Sequence, residues 1–238
     1  MAAEASRSRR TANMMRTEKR ALRRAPVVTR ARALGFLLIT PWLAIAAAGV
    51  VAQSSAPGTP IIDNARVAVF DMKVPNAVKR LGRVDADVVV ISLGGNGAAV
   101  GAVTFEPRGA AEVKGLEHSA GPRAMVVELK DAQVPPLKNT SGFPNAFPRP
   151  GAKQLLDNAR VFVWDYSWTP GVPTPMHFHD KDVVVVYLAD GALESTTPDG
   201  QSVVNPHYFG FTKYNPRDRA HTEKLVKGSG RAVIVELK

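Results

Sequence analysis

Cysteine is absent from all 238 residues. Disulfides, thiolate metal sites and a catalytic thiol are therefore excluded, and any metal site has to be built from imidazole and oxygen donors. Acidic residues are scarce at the start of the chain: residues 1–52 hold ten Lys/Arg against two Asp/Glu, which is +8 of the formal +10. The remaining 186 residues carry only about +2, so the high isoelectric point belongs to the leader. A folded basic face for nucleic acid is not indicated. Helical periodicity is also missing after the leader, where short alternating strands are punctuated by Gly, Pro and Asn/Asp turns. That pattern predicts an all-β barrel or sandwich.

The leader has the layout of an export signal. Arginines between Arg7 and Arg32 precede an apolar run beginning at Ala33, and Val50, Val51 and Ala52 supply small residues for cleavage before Gln53. The same run, broken by Pro41 and Gly49, is nearly long enough to serve instead as an uncleaved membrane anchor. Either arrangement places the remainder in the periplasm or outside the cell. A membrane contact is expected only through this leader, if it stays uncleaved.

An internal repeat organises the rest. Asp63-Asn64-Ala65-Arg66-Val67 recurs as Asp157-Asn158-Ala159-Arg160-Val161, the run at Asp87-Val88-Val89-Val90 as Asp182-Val183-Val184-Val185, and Arg123-Ala124-Met125-Val126-Val127-Glu128-Leu129-Lys130 as Arg231-Ala232-Val233-Ile234-Val235-Glu236-Leu237-Lys238. The expected organisation is a leader (1–52), a linker (53–60), a first module (61–130), a proline-rich connector running over the surface (131–154) and a second module (155–238). Packing of the two modules would give a larger shared core than either has alone, and the same kind of barrel packing would suit a homo-oligomer.

Chemistry-bearing residues concentrate in the second module. His177 and His179, spaced i and i+2 after Pro170, Pro173 and Pro175, would point to one face of a strand. His221 follows in a turn-rich segment and is placed to return to the same interior. Three convergent neutral imidazoles are a donor set for a divalent transition ion such as Fe, Mn, Ni, Cu or Zn. The first module has none of them: Gly82 and Val84 stand opposite the pair, and Glu112 stands opposite His221. It is expected to be structural. Tyr187, a candidate acid or oxyanion donor, and His207, a candidate partner of the ligands or substrate, are weaker members; a core tyrosine and a solvated edge histidine are their plainer readings. His118 is expected at the surface. Trp164, Tyr166 and Trp168 alternate on one strand face and suit packing between sheets, and the run Asp180-Lys181-Asp182 reads as a polar turn between strands.

The segment Gly171-x5-His177-x-His179, followed by a hydrophobic strand and Gly191, resembles the first motif of the cupin family, and Pro216-x-Asp218-x-x-His221 resembles the second, with Asp218 where the family usually has glycine. The resemblance implies two tandem small antiparallel barrels of jelly-roll type, with His177, His179 and His221 as metal ligands. It also implies a glutamate ligand, and here that position falls at or near Val183; Asp182, the nearest carboxylate, faces the other way. The histidine-only set is similar to that of thiol dioxygenases within the wider family. Two functions stay open at this point: a metal-dependent enzyme acting on a small molecule, of dioxygenase type, and a non-catalytic barrel that binds a small ligand or metal. A structural β protein with incidental histidines is the third.

Overall fold

The computed structural model describes residues 58–73, 85–94, 99–110, 123–132 and 134–238, and among these there is no helix. The leader, most of the linker, and Gly82, Val84, Glu112 and His118 lie outside the described residues. Five strands come from the first half: β1 (Ile62–Asp63), β2 (Val67–Lys73), β3 (Asp87–Ser92), β4 (Val103–Glu106) and β5 (Arg123–Leu129). They form one antiparallel sheet in the order β1-β2-β5-β3-β4. The described residues of this half supply that one wall of a barrel and no second one.

The second half contributes β6 (Lys153–Asp157), β7 (Val161–Trp168), β8 (His177–His179), β9 (Val183–Tyr187), β10 (Gly191–Thr196), β11 (Ser202–His207), β12 (Thr212–Asn215), β13 (Arg219–Gly228) and β14 (Gly230–Leu237). Two antiparallel sheets result, β12-β9-β14-β7-β6 and β11-β10-β13-β8. The five-stranded sheet has the same order, strand for strand, as the sheet of the first half.

A residue-level reason lies behind the recurring Asp-Asn-Ala-Arg. Asn64 Oδ1 accepts the N–H groups of Arg66 and Val67 at 2.8 and 3.0 Å, and Asn158 Oδ1 does the same for Arg160 and Val161. Each asparagine thus closes the turn that starts a strand. The arginine that follows reaches across to the other half: Arg66 Nη2 donates to Lys238 O at 3.1 Å, and Arg160 Nη2 to Lys130 O at 2.9 Å.

Strand faces sort the side chains. Val67, Val69, Val89, Ile91, Met125 and Val127 of the first sheet share one core with Val161, Val163, Val184, Val186, Val233 and Val235 of the second-half sheet. The two five-stranded sheets therefore pack face to face. On its other face the second-half sheet turns Trp164, Trp168, Val183, Val185, Tyr187 and Ile234 toward Leu193 and Leu225 of the four-stranded sheet. β9 is buried on both faces, which is why it is an uninterrupted run of valine rather than an alternation.

The connector departs from the expected surface path. Ala146 and Phe147 are buried, and Ala146 N donates to Phe178 O while Phe178 N donates to Pro144 O, both at 2.8 Å. Proline cannot supply a ladder N–H but offers a carbonyl, so a proline-rich segment can still line the edge of β8. The Asp180-Lys181-Asp182 turn is likewise less exposed than its composition suggests. Asp180 and Asp182 are each 6% exposed. Asp182 pairs with Arg66 at 3.4 Å and accepts the N–H of Arg217 at 2.9 Å, so it is committed to the contact between halves and not to the histidines.

Candidate metal centre

Strands β8 and β13 run antiparallel with His177 opposite His221 and His179 opposite Arg219. His177 and His179 share a face because they are two residues apart, and the pairing brings His221 to that face. The three histidines are 3%, 6% and 8% exposed, and their candidate donor atoms all lie within 4.8 Å of one another. His179 Nε2 and His221 Nε2 are 3.3 Å apart. Two nitrogens held at about 2.0–2.1 Å by one tetrahedral ion would stand about 3.3 Å apart, so this spacing fits a shared metal.

Local sequence explains the placement. Pro173 and Pro175 keep the approach extended, and Thr174 ties it to β13: its N–H donates to Glu223 O at 2.8 Å and its Oγ1 accepts the Glu223 N–H at 2.9 Å. Asp218 occupies the left-handed region with φ 66°, where the family pattern has glycine, and its N–H donates to His179 O at 2.9 Å. Aspartate is among the few residues with a side chain that tolerate this conformation. The departure from the motif therefore keeps its geometry.

Each imidazole is suited to coordination as the neutral form. His177 Nδ1 lies 2.9 Å from Pro175 O, an acceptor only, so Nδ1 carries the proton and the Nε2 lone pair is the acceptor, engaged here by Arg149 Nη1. Burial lowers the basicity of all three rings. For His177 the Glu223 carboxylate partly opposes burial and Arg149 reinforces it; for His179 burial and then Arg219 push the ring well below the ordinary histidine value; for His221 burial prevails over Glu223 and brings it to about 4.

Glu223 and Arg149 were not singled out in the sequence, and both belong to the centre. Glu223 follows His221 by two residues on β13 and therefore shares its face; Oε1 is 3.7 Å from His221 Nε2. Its Oε2 accepts from Trp168 Nε1 at 3.1 Å and from Arg149 Nη2 at 3.3 Å. Burial alone would raise this carboxyl, but Arg149, His221, His177 and the Trp168 N–H together hold it at about 2. Arg149 Nη1 also sits 3.4 Å from His177 Nε2, and the guanidinium lies 4.5 Å and 4.0 Å from the Phe147 and Tyr166 ring centroids. The i, i+2 spacing of Glu223 from His221 was a readable signal. The Arg149 contact was not, because it depends on the path of the connector.

A cavity of about 80 Å³ opens beside the triad, lined by His179, His221, Tyr187, Arg219, Glu223 and Trp168 among others. Val183, at the family's glutamate position, is part of the same wall, so no carboxylate comes from β9. Tyr187 faces the cavity, and burial above all raises its phenol beyond the ordinary tyrosine value, leaving it a neutral donor. His207 stands behind it: the two rings stack at 4.2 Å, and His207 Nε2 donates to Ser229 O at 3.2 Å. It is buried at 4% exposure, not a solvated edge residue, and it reaches the site only through Tyr187. Trp164 keeps to the packing role, with Nε1 on Glu236 Oε2 at 2.8 Å.

No protein-family profile matches the chain. A 60-residue stretch is 43% identical to the beta-alanine degradation protein BauB of Pseudomonas aeruginosa, covering 25% of this chain and 59% of that relative's length. Among solved structures, a cupin-2 conserved barrel protein from Leptotrichia buccalis is 10% identical, covers 78% of this chain and 92% of its own, and has a TM-score of 0.45. A cupin domain from Bordetella pertussis Tohama I is 33% identical and is covered over 97% of its length by 38% of this chain, with a TM-score of 0.34. With one residue in three shared along nearly the whole of that domain, the chain belongs to the cupin superfamily.

Proposed function

We propose that this chain is an exported two-module cupin whose second barrel uses a divalent transition ion, held by His177, His179 and His221, to act on a small molecule in a reaction of dioxygenase type. The observation that carries the reading is the convergence of three buried, neutral imidazole donors, two of which, His179 and His221, line the adjoining cavity. A bound ion would supply Lewis acidity or, for iron, copper or manganese, a redox centre for dioxygen. The chain's own residues supply the rest. Trp168, Val183, Val185 and Ile234 supply the apolar part of the walls, Tyr187 offers a neutral O–H toward the cavity, and Arg149 with Glu223 fixes the rings and the charge beside them. Export is supported by the leader's arginines, apolar run and small residues before Gln53.

A second reading, a barrel that binds a ligand or metal without turnover, is favoured by one feature. Glu223 is engaged by both Arg149 and Trp168, so the carboxylate nearest the triad is not free to shuttle a proton. Dioxygen consumption separates the two readings. The chain reconstituted anaerobically with each ion in turn is given a panel of small organic acids, thiols and amines. Substrate-dependent uptake that disappears in His179→Ala supports the enzyme. Stoichiometric metal binding with no uptake for any ion and substrate supports the binding barrel.

A further inference from the structure

We propose that the cavity beside the triad takes its small molecule by a carboxylate group, with Arg219 as the clamp and Lys213 beside it. This rests on the reading of the cavity as the substrate site and adds the chemical class of the substrate. Arg219 begins β13, two residues before His221 and four before Glu223, so it projects from the same strand face, and it lines the cavity. Its Nε donates to Pro216 O at 2.5 Å, but Nη2 is buried and has no hydrogen-bond partner among the described residues. A buried guanidinium N–H without an acceptor is costly, so this position calls for one.

The charges around the cavity point the same way. Arg149, Arg219 and Lys213 line it against the one carboxylate Glu223. Arg149 pairs with Glu223 at 3.3 Å, and three cations against one carboxylate leave the lining with a net positive charge. A guanidinium edge matches a carboxylate in two parallel hydrogen bonds, whereas a neutral amide could offer it one acceptor. The size of the space sets the rest of the molecule. At about 10–15 Å³ per water-sized position, the 80 Å³ cavity holds about five to eight such positions. A short-chain acid fits, and its remainder would meet Ser195, Asn205 and Asn215.

Isothermal titration of the full chain with acetate, propionate and butyrate, each against its neutral amide, tests this. It is run on both the zinc-loaded and the metal-free protein, so that preference for the acid is not attributed to the ion. At least one acid is expected to bind at least tenfold more tightly than its amide in both states. That binding should weaken tenfold or more in Arg219→Gln, checked as folded by circular dichroism. Arg219→Lys, which keeps the charge and loses the fork, should also weaken it. Acids that bind no better than amides, or binding unchanged in both variants, would overturn the clamp. A chain that takes up no zinc yet keeps the acid preference contradicts the metal reading and leaves the clamp standing.

Discussion

Glu223 Oε1 stands 3.7 Å from His221 Nε2, two residues further along the same strand, and its other oxygen is held by Arg149 and Trp168. The glutamate missing from β9 is thus matched by a carboxylate arriving from the opposite side of the centre, beside the ligands and tied to the residues that orient them.

Glu223→Gln should keep the hydrogen bond from Trp168, because the amide carbonyl still accepts, while removing the negative charge next to His221 and His177. Loss of such a partner lowers metal affinity by about 10–100-fold. Chelator competition on the folded variant measures it. Affinity within twofold of the wild type would mean that the carboxylate does not act on the centre.

The metal-free protein should lose stability in mild acid. His177, His179 and His221 all bind protons less readily in the fold than at the ordinary value of 6.5, His221 doing so only at about 4. Between those limits the unfolded chain therefore holds more protons than the folded one, and stability falls as pH drops from 6.5 toward 4. The slope from these rings fades over about one pH unit above 6.5, as the unfolded imidazoles lose their last protons. Urea midpoints across pH 4–8 check this, and the triple His→Gln variant should show a flatter profile in that window. Bound metal should be released over the same acid range, since protons compete for the same nitrogens.

The shared core makes a third expectation. Ile91 in the first sheet is fully buried against the second-half sheet. Ile91→Ala should cost about 2–5 kcal/mol, as large-to-small changes in packed cores do. Near-ultraviolet circular dichroism from Trp164 and Trp168, which lie in the other half, should lose its signal at the correspondingly lower urea concentration. An unchanged transition there would show that the halves unfold independently.

How far the sequence carried the reading differs from element to element. The all-β class and the His177/His179 pair followed from local pattern, because strand periodicity needs only neighbours. His221 was reachable through its motif, although its ring is placed by pairing across 44 residues of chain. Asp218 could be read as a departure from the motif, but not as a residue that preserves its φ. Arg149 was hidden for a different reason: its contacts with His177 and Glu223 depend on a connector whose prolines suggested the surface. His207 was legible as a member of the region, yet its stacking on Tyr187 is set by the closure of β11 over β9, a tertiary relation that no local pattern carries.

Elemental analysis of the purified chain beside a His177→Ala/His179→Ala double variant, both folded to the same extent, tests the central claim most directly. The account predicts one equivalent of a divalent transition metal in the wild type after reconstitution and none held by the variant. A wild-type chain that remains metal-free with iron, manganese, nickel, copper and zinc, or a variant that binds as well as the wild type, would contradict it.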